Sequence, residues 1–158
     1  MPLLTRLALI AALAIPLAQA FPALAHGPQS TVEQGEIIHL MMAQFDRPEA
    51  PLTVAPVVVQ GDSAIAGWSQ DGLGGRALLR RGPQGWAIVL CAGPEVLDPQ
   101  FLAHHGLAPS DAQSLTLTAR SAEEGLGAAL IARLDSFDGV LLIEAGDAQT
   151  HGHAPAGH

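Results

Sequence analysis

The stretch LTVAPVVVQGDSAIAGWSQDGLGGRALLRRGPQGWAIVLC, residues 52–91, decides the fold. Val54, Val57, Val58 and Val59 crowd its first β-rich run, Leu52 to Gln60, and β-branched side chains of this kind fit a pleated surface. Gly61-Asp62 turns the chain into a second run, Ala64 to Ser69. Asp71-Gly72-Leu73-Gly74-Gly75 is a looser turn into Arg76 to Arg81, and Gly82-Pro83-Gln84-Gly85 leads into Trp86 to Cys91. Parallel neighbours would need crossover helices, so turns this short predict an antiparallel meander. Pro56 cannot donate to a strand ladder, which makes the first run an edge.

Upstream, Ile37, Ile38, Met41, Met42 and Phe45 recur at helical spacing and form one apolar stripe centred near Met41. Ser30-Thr31-Val32-Glu33 fits a capping box at its start, and Pro48 and Pro51 end it. Downstream, Asp98-Pro99 opens a short helix that stops at Gly106. Ser110-Asp111 opens another that runs to about Glu124, where Gly125 and Gly127 weaken its continuation toward Ala132. Phe137 to Glu144 reads as a last strand. The expected class is α+β: an N-terminal helix packed on a four- to five-stranded antiparallel meander, with further short helices in the C-terminal half. By analogy this layout resembles cystatin-like and nuclear-transport-factor-like folds.

The ends of the chain differ from its middle. Met1 to Ala25 has the parts of a secretory signal peptide: a lone Arg6, the apolar run Leu7 to Leu17, and an A-x-A site. Cleavage after Ala23-Leu24-Ala25 would release His26, and cleavage after Ala18-Gln19-Ala20 would release Phe21; we prefer the first. Pro16 and Pro22 interrupt a stretch already short for a membrane anchor, so export to the periplasm followed by release is expected, with no transmembrane span afterwards. Residues 26–145 form a single domain, and 146–158 are a His-rich tail whose composition cannot pack.

The exported part keeps six Arg, no Lys and all fifteen acids, a formal charge of about −9. That balance argues against nucleic acid and anionic lipid as partners. The single Cys91 excludes an intramolecular disulfide, so hydrophobic burial must hold the fold. There is no G-x-S-x-G, H-E-x-x-H, phosphate loop or C-x-x-C, and neither Lys nor Tyr remains for acid–base work. We therefore expect a protein that is not an enzyme.

Metal chemistry is the positive signal. His39 and Met42 stand three apart on the edge of the first helix, close enough to touch one ion, and imidazole beside thioether suits copper in either oxidation state. The same spacing also describes a surface histidine beside a core-filling methionine. His151, His153 and His158 in the tail form a short tract of metal-binding composition. If His26 is the mature N-terminus, its amine and ring nitrogen could chelate Cu(II). Cys91, alternating with Ala87 and Val89, is either a buried thiol or a soft ligand. His104 and His105 fit the end of a helix, where the dipole favours positive charge, and Arg76, Arg80 and Arg81 read as a solvated strand face.

The block HLMMAQFDRPEAPLTVAPVVVQGDSAIAGWSQ (39–70), with GGRALLRR (74–81) and GWAIVLCAG (85–93), resembles the bacterial copper uptake system-associated protein family. These are small exported proteins encoded beside copper-uptake components. The resemblance covers roughly residues 36–143. It implies copper handling, Cu(I) or Cu(II), in the periplasm, and partners such as a periplasmic copper chaperone or an outer-membrane receptor. His39 and Met42 open the matching block, whereas His26 and the tail histidines lie outside it. Two alternatives involve no metal: a binding module for a small apolar ligand or peptide, and a domain that docks on a transporter or chaperone through Trp68 or Trp86 beside the Arg76/Arg80 face.

Overall fold

The structure, a computed structural model, describes residues 28–143. The expected signal peptide, His26 and the tail with His151, His153 and His158 lie outside the described residues.

The five strands β1 (Thr53–Gln60), β2 (Ser63–Gln70), β3 (Leu73–Gly82), β4 (Gly85–Ala92) and β5 (Val140–Leu142) pair in sequence order, every neighbour antiparallel. This is the expected meander, closed by the late strand. Its tight turns use left-handed backbone at Gly61 (φ 56°), and at Asp71 and Gly72 (φ 49° and 80°), where glycine or an Asx residue is tolerated best. β1 is an edge, with a register shift between Val54 and Val57 around the cis Ala55-Pro56 bond.

Helix α1 (Pro28–Phe45) lies on one face of the sheet, where Ile37 and Met41 pack with Ala64, Ala66, Ala77, Leu79, Ile88 and Cys91. The other face is also covered. Ile65, Leu78, Leu90 and Ala92 pack beneath a 3₁₀ turn (Pro94–Leu97), α2 (Pro99–His104) and α3 (Pro109–Glu124), through Val96, Leu102, Ala112, Leu115 and Ala119. The sequence reading placed a helix across one face only. The reason for the second layer is visible in β2 and β3: Ala64-Ile65-Ala66 and Ala77-Leu78-Leu79 are buried without alternation, as in a strand that has apolar neighbours on both sides. A final helix, α4 (Ala128–Leu134), follows the Gly125–Gly127 break and precedes β5.

Three local expectations change. Helix α1 begins at Pro28, so Ser30 lies within its first turn, and Glu33 is turned to Arg81 in an ion pair. Ile38, expected in the stripe, is 37% exposed, while Ile37 and Met41 are 0% and 1% exposed. The last strand is three residues long and not the eight expected, because Gly139 (φ 83°) turns the chain just before it.

Arg76 is the largest correction. It was expected on a solvated face and is fully buried. Its Nε and Nη2 donate to the two carboxylate oxygens of Glu123 at 2.7 Å each, and Nη1 donates to Asp135 Oδ1 at 2.8 Å and to the Leu134 carbonyl at 3.1 Å. Burial alone would lower the guanidinium pKa, but the hydrogen bonds and charges of Glu123 and Asp135 outweigh it and raise the pKa. This network ties the end of α3 and the end of α4 to the central strand.

Candidate functional site

His39 is exposed on α1, and Met42, one turn on, is half-buried against the core with Leu40 and Phe45. The helix therefore sets an imidazole in solvent beside a thioether anchored in packing. Among the described residues no three His, Cys, Asp or Glu side chains converge to hold a metal. Any ion at His39 and Met42 would have two protein donors and open positions.

A second place is an apolar cavity. Met41, Phe45, Leu52, Trp68, Gln70, Cys91, Phe137 and Leu141 line a cavity of about 150 Å³ between the C-terminal half of α1 and the sheet. Met41 is 1% and Cys91 7% exposed, whereas Leu141, opposite Cys91 in the β4–β5 register, is 51% exposed. The two sulfurs thus belong to the interior wall and Leu141 to the rim. Trp68 stands edge-on to Phe137 at 5.4 Å between ring centroids. Its Nε1 is buried without a hydrogen-bond partner among the described residues. Gln70 is held in place because its Nε2 donates to the carbonyls of Phe45 and Ala50, both at 2.7 Å.

The sheet accepts large rings here because β3 carries no side chains opposite them. A Cβ on Gly75 would stand 2.9 Å from Phe137 Cβ and 3.0 Å from Trp68 Cζ2. Burial pushes the Cys91 thiol up to about 11, so it is a protonated thiol at neutral pH, and it forms no disulfide. The sequence offered Cys91 singly. That it lines one cavity with Met41 was not legible, because periodicity gives the face a residue occupies and not what faces it across a helix–sheet interface.

The other candidates take structural roles. His104 ends α2 and meets His105 edge-on at 5.4 Å between ring centroids, and His105 packs tilted on Phe101 at 4.5 Å. Arg80 reaches the His105 carbonyl at 3.4 Å. Arg81 lies over the Trp86 ring at 4.6 Å while pairing with Glu33. Both tryptophans are half-buried, so the exposed Trp beside the Arg76/Arg80 face that a docking surface was expected to show is not there. Exposed apolar surface lies instead on β5, where Val140, Leu141 and Leu142 are 45%, 51% and 60% exposed.

No family model matches the chain, and neither a curated protein nor a solved structure is significantly similar to it. No helix among the described residues is long and apolar enough to cross a membrane.

Proposed function

We propose that this chain is a non-enzymatic accessory of copper uptake, exported to the periplasm, that binds copper and passes it on. The observation that carries the reading is the placement of exposed His39 one turn from the anchored thioether of Met42. Two donors with open positions suit loading from solvent and transfer to a partner better than permanent storage, because incoming ligands can bind before the old ones leave. The resemblance of residues 39–93 to copper uptake system-associated proteins supports the same ion and names the partners, a periplasmic copper chaperone or an outer-membrane receptor. His151, His153 and His158 would act as a capture arm, and His26, if it is the N-terminus, as a separate Cu(II) chelate.

The test is equilibrium dialysis of the mature chain against Cu(I) and Cu(II) at micromolar concentrations, beside His39→Ala/Met42→Ala and a variant with the three tail histidines replaced. The reading expects binding that weakens in the double variant. Wild-type binding in the double variant, with all copper lost from the tail variant, would remove the folded domain from the account.

A second reading is favoured by β5. Three consecutive exposed apolar residues on an edge strand are the kind of surface that proteins ordinarily protect, and extended partners add to such edges. A docking domain would capture its partner equally well with a chelator present, whereas the copper reading expects capture to fall.

A further inference from the structure

We propose that the open cavity between the 3₁₀ turn and the α3–α4 corner is a binding site for a free aliphatic α-amino acid. It has a volume of about 520 Å³, within the range of small-ligand pockets, and it stands apart from His39 and Met42.

The first support is a buried donor in its wall. Arg76 is 0% exposed and yet lines this cavity. A guanidinium has five N–H bonds, and four of them are engaged by Glu123, Asp135 and the Leu134 carbonyl. The fifth, on Nη2, has no acceptor among the described residues.

The second support is a pair of opposite charges left unpaired. Arg120 and Glu124 stand one turn apart on α3, where such residues ordinarily pair with each other, and both line the cavity. Arg120 instead donates through Nη2 to the Leu97 carbonyl at 2.9 Å, which fixes the guanidinium without neutralising it. Glu124 has no ion-pair partner among the described residues, and Asp135 uses only Oδ1 toward Arg76. Glu123 already balances Arg76. A lone anion would therefore meet two carboxylates, and a lone amine would leave Arg120 unanswered. A molecule carrying both signs on one carbon satisfies all three. Its carboxylate goes to Arg120 and the free Arg76 N–H, and its ammonium to Glu124 and Asp135 Oδ2. Leu97, Leu126 and Ile131 supply an apolar floor for an aliphatic side chain.

The experiment is metal-free isothermal titration of the chain with L-leucine, with 4-methylpentanoate (leucine without its ammonium) and with 3-methylbutylamine (leucine without its carboxylate). Leucine should bind at least about tenfold more tightly than either analogue, because each analogue lacks one charge-assisted contact. Glu124→Gln should weaken leucine by roughly 10–100-fold and leave the binding of 4-methylpentanoate undiminished. Arg120→Gln should show the converse, losing leucine and keeping the amine. Glu124 is exposed, so Glu124→Gln should fold normally and carries the test even if Arg120→Gln does not. Absence of saturable leucine binding below about 10 mM overturns the site. So does leucine binding no tighter than that of the analogues, or unchanged in both variants. No result here bears on copper, which the titration omits.

Discussion

Replacing Glu123 by Gln removes one negative charge from beneath a guanidinium that water does not reach. Arg76 is fully buried and Glu123 is 7% exposed, so among the described residues the remaining charge is balanced by Asp135, whose side chain is 41% exposed. Breaking a buried ion pair from one side costs about 3–5 kcal/mol, because it leaves an uncompensated charge in the interior. The Asp135 and Leu134 contacts stay, which places Glu123→Gln at the lower end, about 3 kcal/mol. For a domain of this size that is a fall in Tm of roughly 10–15 °C. Asp135→Asn, at the solvent-facing corner, should cost about 1 kcal/mol or less. Urea and thermal unfolding of the chain, followed by circular dichroism, would measure both. The double variant Arg76→Met/Glu123→Leu separates charge from shape, since an apolar pair of similar volume should be less damaging than Glu123→Gln alone. A Glu123→Gln protein within about 0.5 kcal/mol of wild type would refute the reasoning.

Three further outcomes follow from the same geometry. Burial raises the Cys91 pKa from 9.0 to about 11, so stability attached to its neutral form is complete below pH 9 and is lost as pH rises toward 11. The difference in unfolding free energy between wild type and Cys91→Ala should therefore shrink by roughly 2–3 kcal/mol over that window, and a flat difference would contradict the burial argument. Gly75→Ala places a Cβ 2.9 Å from both the Ala92 carbonyl oxygen and Phe137 Cβ, and should cost about 1–3 kcal/mol in chemical denaturation; a neutral result would mean that the β3–Phe137 packing is looser than described. Leu141→Lys, on a half-exposed rim, should change stability by less than about 1 kcal/mol and abolish partner capture if β5 is the docking edge; capture at wild-type level would remove β5 from that role.

The sheet was readable because its signals are local. Glycine-rich turns at Gly61, Gly72 and Gly82–Gly85 fix antiparallel neighbours whatever else packs on them, and Pro56 marks the edge through its missing donor. The second helix layer was less legible, since α2 and α3 were visible as helices while the face they cover depends on tertiary packing. Arg76 misled for the same reason: an arginine in a strand is usually solvated, and only Glu123 and Asp135, 47 and 59 positions later, make burial possible. At the candidate sites, His39 and Met42 could be paired by spacing because both belong to one helix. Met41 and Cys91 could not, because their proximity is created by the docking of α1 on β4.

The proposed function requires that this domain bind copper, and an anaerobic competition titration of the wild-type chain against a Cu(I) chelator tests it most directly. The account predicts that the protein withdraws at least one equivalent of Cu(I) at micromolar concentrations, and that a chain lacking residues 146–158 still does so. Failure of the intact chain to take up any Cu(I) or Cu(II) under those conditions would contradict it.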